Sequence, residues 1–398
     1  MSYLTFNTGS PPSTPVAGKA SFYVASTDKC PQFITEQGVI GPMCRNWLTN
    51  WIRNSGFWFA QRQTTSSTAT YSATSGRAIS ADGWGITNEN ASVTYQRIDT
   101  SGSTEAGLQG RFYGQFLKIT NTGKLIISQV IEGTNTCAIR GRTVRLQCWL
   151  KAQSGTPTVN LALVQLTNSG TLDTIPATFI AAFGANGTDP TLGTNLSYIT
   201  PKTGVTPDGA TVVGNHASCV LSTSWARFGC VFDVPSNCKN LVVMVYGDSQ
   251  FAAAAGINIS QVSLVDGYEI QAWSSQTIEE ELQKVQRFYS KSFNVDTAPA
   301  QSVATGALRG YVSVAGATSG QPIGLRFPVP MRAAPGTLTF YNPAAANAFV
   351  RNTTAGTDAT ATSSANMGEN GGDITFTGIA AWTVAQAVQI QFSADAEL

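Results

Sequence analysis

Charge is scarce in this chain of 398 residues. Asp, Glu, Lys and Arg make up 12% of it, and 24 basic residues nearly cancel 23 acidic ones for a net charge of +1. Phosphate binding needs a basic stripe, so this balance argues against nucleic acid as the main partner. His216 is the only histidine, which excludes a metal site built from several histidines. No apolar run reaches membrane-spanning length, so membrane insertion is not expected. The first residues, MSYLTFNTGSPPSTP, have neither the basic nor the apolar region of a signal peptide. The expectation is a product made and kept in the cytoplasm, or one that leaves by a route other than secretion. The seven cysteines (Cys30, Cys44, Cys137, Cys148, Cys219, Cys230 and Cys238) form no CxxC pair and are odd in number. Buried, reduced thiols fit that pattern. The alternative is oxidation after release from the cell, and Cys219 with Cys230, flanking a hairpin-like stretch, is the first pair to test.

What is present is mostly strand and turn. Residues 1–45 open with Pro11, Pro12, Pro15 and Gly18, an extended arm. KASFYVASTDKCPQFITEQG then reads as two short strands joined by a turn. One hairpin is marginal alone in water, so the arm is expected to dock on something else. Residues 46–272 alternate short apolar runs (ASVTYQRI, KLIISQVI, TVRLQCWLKA, TVNLALVQL, WARFGCVFDV, NLVVMVYGD, INISQVSLVDG) with Gly, Asn, Ser and Thr turns. Such a series predicts a sandwich or jelly roll. Residues 167–215 read as long loops with one apolar piece at Phe179–Phe183. Residues 292–398, which contain no lysine, read as a second, smaller β-sandwich. The fold class is therefore all-β with one short connecting helix within 273–291.

That helix is TIEEELQKVQRFYSK, Thr277–Lys291. Ile278, Leu282, Val285, Phe288 and Tyr289 recur at helical spacing. Thr277 and Glu280 can close a capping box, and Glu279, Glu280 and Glu281 in the first turn suit the helix dipole. The stripe can pack on its own chain, or three copies can meet on a symmetry axis; the sequence leaves both open.

Several stretches carry a resemblance. NWLTNWIRNSGFWFAQ (46–61), followed by Arg62 and Ala81-Asp82-Gly83-Trp84, resembles the opening "N…NsGF..WQRG…y.aDgW" of a jelly roll common in tailed-phage fibre and virion proteins. It departs at Phe59-Ala60 and at Gln63. INISQVSLVDGYEI (257–270) is similar to the closing strand of such domains, which are related in shape to carbohydrate-binding modules. LQKVQRFYSKSF (282–293) with LRFPVPMRAAPGTLTFYNP (325–343) is similar to the C-terminal region of many phage tail and fibre proteins. The arm, 11–38, resembles their virion-attachment segments. Together these cover most of the chain. The resemblance implies a virion protein synthesised in the bacterial host cytoplasm. It implies a homotrimer whose partners are other phage virion proteins, met through residues 1–45. Pro12, Pro15, Phe22 and Tyr23 are then candidates for attachment.

Groups for catalysis are few. Gly247-Asp248-Ser249 matches the nucleophile block of GDS-type esterases, but no histidine follows it to serve as base, and it ends a strand where such residues make a turn. Glycosidases need two opposed carboxylates, and acidic residues are sparse. Asn186–Asn195 fits no defined calcium spacing. No catalytic residue, metal or cofactor is assigned. Sugars are held by aromatic faces and a few polar groups, so aromatics are the remaining candidates. Trp47, Trp51, Phe57, Trp58, Trp84 and Trp149 are expected mostly in the core. Tyr341, Asn342, Arg351 and Trp382 are the candidate contacts for host-surface carbohydrate. The expected function is a fibre that binds glycan; a purely structural head, neck or decoration protein and a polysaccharide-degrading tailspike are the alternatives.

Overall fold

The structure, a computed structural model, describes residues 49–398 except 64–67, 73, 91, 102–104, 106, 107, 109, 120, 168, 205–207, 269, 271, 272, 274, 275 and 314–321. Before residue 49 it describes four strands, Thr8–Gly9, Ser21–Ala25, Pro31–Ile34 and Ile40–Pro42. The described residues are all-β with two short helices.

The four early strands form one sheet. Phe22 lies opposite Phe33, and Tyr23 opposite Gln32. The expected hairpin is thus widened by a parallel strand on one side and an antiparallel one on the other. Three or more strands hold together where two do not. Pro12 and Pro15 lie outside the described residues.

Two large sheets follow. The first runs in the order Thr211–Val213, His216–Val220, Thr158–Leu166, Asn240–Gly247, Leu125–Ile131, Gly85–Asn88, Ala78–Ile79, with Leu196–Ile199 also on Thr158–Leu166. The second runs Ala226–Asp233, Thr143–Ala152, Gly256–Asp266, Phe112–Lys118, Val93–Asp99, Ala69–Tyr71. Alternate residues of both, such as Leu146, Leu150, Leu161 and Val243, meet in one core. The first sheet is buried on its other face as well. There Val130, Val164 and Met244 pack under Phe179 and Ile180. This explains why every residue of Asn240–Gly247 is buried, with no polar alternation. The apolar piece at Phe179–Phe183, expected within loops, therefore covers the sheet, and Leu196–Ile199 and Thr211–Val213 are strands of it.

Cys219 and Cys230 sit in different sheets and do not bridge; both are free, buried thiols, as are Cys148 and Cys238. Burial pushes the Cys238 thiol up to about 12. Cys137 is free and exposed.

The C-terminal unit is organised by Ala387–Asp395. Its first half pairs with Leu308–Tyr311 and Arg351–Asn352, its second half with Tyr289–Lys291 and Thr337–Tyr341. A three-stranded sheet of Ile323–Arg326, Gly371–Thr377 and Ala361–Gly368 completes it. Val388, Ile390, Phe392 and Ala394 face a core shared with Leu325, Ile374 and Phe376.

Helix α1, Gly133–Ile139, has no helical apolar stripe and was not expected. Helix α2, Ile278–Gln286, has the expected capping box: Glu280 N donates to Thr277 Oγ1 at 3.3 Å, and Thr277 N to Glu280 Oε2 at 3.2 Å. It stops at Gln286, before Tyr289 and Lys291, which the expected helix included. From Tyr289 the backbone is strand, pairing with Asp395. Phe, Tyr and Ser following Arg287 suit a pleated strand better than another helical turn. Val285, Phe288 and Tyr289 are 1%, 5% and 5% exposed, used up within their own chain. Of the five stripe residues only Ile278 is exposed, and Leu282 is half-buried. The stripe as a trimer axis is corrected accordingly.

Candidate functional site

The opening segment of the sandwich, α2 and the final strand converge on one joint. It begins with a turn at Arg53–Gly56. Asn54 takes φ of 50°, which its short polar side chain tolerates, and its Oδ1 accepts from Phe59 N at 3.0 Å. Phe57 also takes a left-handed φ, 57°, and is held there by stacking on Trp84 at 5.1 Å. Glycine is required at Gly83, where φ is +85° and a Cβ would meet Arg53 Nε at 2.6 Å.

Ion pairs bind this segment to the far end of the chain. Arg53 Nη2 reaches Glu397 Oε2 at 2.7 Å, and its guanidinium lies 3.8 Å from the Phe288 ring centre. Gly83 N donates to Glu397 Oε1 at 3.1 Å. Arg62 pairs with Asp82 at 3.2 Å and Asp395 at 2.8 Å, and stacks 3.8 Å over Tyr289. Asn54 N donates to Glu281 Oε2 at 2.6 Å. Burial would raise the Glu397 carboxyl, but Arg53, Arg62 and Arg77 outweigh it and hold it below the usual range. Asp82 is raised by burial, which Arg62 only partly offsets. Burial would lower Arg62, but Asp395, Glu397 and Asp82 together hold it above its ordinary value.

A recess of about 280 Å³ opens beside the joint, lined by Arg62, Tyr289, Pro299, Thr337, Thr339, Tyr341, Ser393 and Asp395. The register makes it: Thr337 lies opposite Asp395, Thr339 opposite Ser393, and Tyr289 also opposite Asp395 on the other side. Tyr341 Oη is 3.2 Å from Ser393 Oγ, and its ring meets Phe293 edge-on at 5.3 Å. The lining is one fixed guanidinium, one carboxylate, three aliphatic hydroxyls and two phenols. That set can exchange hydrogen bonds with a polyhydroxylated ligand in several directions. Its volume is near the lower end, roughly 300 Å³, of small-molecule pockets.

The four expected carbohydrate contacts do not come together. Only Tyr341 lines the recess. Asn342 is fully buried and caps a turn, its Oδ1 accepting from Ala344 N at 2.9 Å and Ala345 N at 3.1 Å. Trp382 is 4% exposed, packed on Phe376, with Nε1 donating to Thr357 Oγ1 at 2.9 Å. Arg351 pairs with Asp358 at 3.0 Å on another part of the sheet. Asn342 and Trp382 are corrected to structural residues. Phe22 and Tyr23 lie in the N-terminal sheet.

No family model matches the chain, and no curated protein matches it. Solved structures overlap part of it. The TmCBM61 module in complex with beta-1,4-galactotriose is 11% identical, covering 55% of this chain and 99% of its own, with a TM-score of 0.30. The enzymatically active domain of bacteriophage CBA120 tailspike protein 4 is 14% identical, covering 55% of this chain and 21% of its own, at 0.29. The CBM22-1 xylan-binding domain of Paenibacillus barcinonensis Xyn10C is 11% identical, covering 52% and 99%, at 0.27. At such scores the overlap carries no argument about this chain's ligand or role.

Sequence reasoning missed Arg62, Thr337, Thr339, Ser393 and Asp395 as lining residues. The alternation in GTLTFYNP and AVQIQFSA places Thr337, Thr339 and Ser393 on strand faces, but only the pairing of the two strands brings them together with Asp395, and Arg62 arrives from a turn at 61–63. Elsewhere, the expected loop 186–195 is tied down without a metal ligand set. Lys124 Nζ donates to the carbonyls of Phe183, Ala185 and Thr188 at 3.1, 2.7 and 2.8 Å. Asp189 is 2.7 Å from His216 Nδ1 and accepts from the Tyr246 hydroxyl. Among the described residues no group of three or more His, Cys, Asp or Glu could hold a metal ion.

Proposed function

We propose that this chain is a bacteriophage fibre or spike protein that holds host-surface glycan in the Tyr341 recess. The observation that carries the reading is the recess lining: Thr337, Thr339, Ser393 and two phenols around the paired Arg62 and Asp395. The sequence resemblance supports the virion setting, with residues 1–45 as the docking segment and the assembled particle as the destination. Homotrimeric display fits a weak site, because three copies on one fibre raise the effective affinity without any new contact. With Val285, Phe288 and Tyr289 used internally, the contact between copies falls to Ile278 and to other exposed surfaces. We take the protein to be a binder that does no hydrolysis. Asp395 is the one carboxylate in the recess lining and is paired with Arg62, whereas glycoside hydrolysis needs two opposed carboxyl groups.

The test is retention on immobilised surface polysaccharide of the host. Thr337 and Thr339 are exposed, so Thr339→Tyr fills the recess without touching the core. The native protein is expected to be retained and Thr339→Tyr to elute with the void. Full retention of Thr339→Tyr would remove the recess from the account. A second reading, a purely structural fibre or decoration, is favoured by the joint, whose many ion pairs fix one unit rigidly on the other. Binding to particles through residues 1–45, with no retention on polysaccharide, would select it.

A further inference from the structure

We propose that the ligand is an extended oligosaccharide that reaches from the recess to a second aromatic platform at Tyr311. This rests on the glycan-binding reading above and names the class of glycan. Val388, Ile390, Phe392 and Ala394 face the core, so Ala387, Gln389, Gln391, Ser393 and Asp395 share the opposite face of their strand. The recess occupies the Ser393–Asp395 end. At the other end Tyr311 lies opposite Ala387 and Arg309 opposite Gln389, with Arg351 opposite Gln389 from the far side. Directly opposed residues on one face sit about 5 Å apart, so these groups form one patch.

Tyr311 is 68% exposed, the highest value among the exposed large apolar residues described. Arg309 is exposed too and has no carboxylate partner among the described residues. Arg351 is held in place by Asp358 at 3.0 Å. A flat ring with a free guanidinium, an amide and a fixed guanidinium around it offers a stacking face and directed donors, the elements of sugar recognition. From Ala387 to Ser393 is six residues of strand, about 20 Å. That span is longer than a monosaccharide. Between the two ends Gln391 is covered, its Nε2 donating to the Val303 carbonyl. The ligand therefore bridges two platforms across the segment at Val303, and its middle units add little.

A length series tests this. The probe is size-fractionated host-surface polysaccharide, from the monosaccharide to the octasaccharide, titrated calorimetrically against the full chain. Affinity is expected to stay flat for short fragments. It should then step up by at least about tenfold at the length that spans both platforms, since the second contact becomes intramolecular. Tyr311→Ala, at an exposed position, should abolish the step and leave short-fragment affinity unchanged; Arg309→Gln should reduce the step. A step retained in Tyr311→Ala, or no step at any length while short fragments bind, overturns the proposal. If Tyr311→Ala keeps the step but changes the molar mass by light scattering, Tyr311 is a contact between copies and the proposal falls. Failure of the native protein to bind any fragment overturns the glycan-binding reading itself.

Discussion

Glu397 and Lys124 show how single buried charges hold distant parts of this chain. Glu397 takes Arg53 and Gly83 N from a segment more than three hundred positions earlier. Removing one partner of a buried pair leaves the other uncompensated, so Glu397→Ala is expected to cost about 3–5 kcal/mol in chemical denaturation. A cost below about 1 kcal/mol would mean the pair is solvated. Lys124 is fully buried and feeds three loop carbonyls, so Lys124→Met strips them of their donor. A loss of roughly 3 kcal/mol is expected, with faster proteolysis at 183–188. Neither role could be read from the sequence. Lys124 sits before an apolar strand, and Glu397 lies close behind Ala394; nothing in their neighbours marks a partner that only the fold supplies. Conversely, Asp82-Gly83-Trp84 and Asn54–Phe57 were visible as a motif, because a turn with left-handed residues and a stacked aromatic constrains residue types locally.

Among the elements, α2 is the instructive case. Its start was legible because a capping box is local chemistry between Thr277 and Glu280. Its end was not, because helical spacing continues through Phe288 and Tyr289 while the pairing of Tyr289 with Asp395 is non-local. The same limit applies to the recess, where strands alternate legibly but their register does not show in sequence. Thr277→Ala should cost about 1 kcal/mol by loss of the cap, read as a shift in the unfolding midpoint with unchanged denaturant slope. Ile278→Ser should leave the stability of the isolated chain within about 0.5 kcal/mol, since the side chain is 47% exposed. If it also lowers the molar mass of an assembled species, Ile278 lies at a contact between copies; an unchanged mass removes it from that role.

For the whole molecule, the all-β class with a short helix followed from periodicity and turn chemistry. How the parts meet rests on buried charge, and this gives the molecule an acid limb. Glu397 and Asp189 are both held below their ordinary values: burial raises each, and Arg53 with its neighbours, or His216 with Tyr246, outweighs it. A folded value below the unfolded one contributes stability above about pH 4, lost as pH falls through the folded value. Stability should therefore drop below about pH 4, and Glu397→Gln should show a shallower drop from a lower plateau. An unchanged acid limb in that variant would assign the effect to other carboxylates. Adsorption competition tests the proposed glycan-binding role on cells and particles most directly. Host cells are saturated with the purified full-length protein, and the phage particles that still attach are counted. A receptor-binding fibre blocks attachment strongly, and Thr339→Tyr protein blocks it far less. Undiminished attachment, with no binding of the labelled protein to cells, would contradict the glycan-binding role and leave a structural part of the particle.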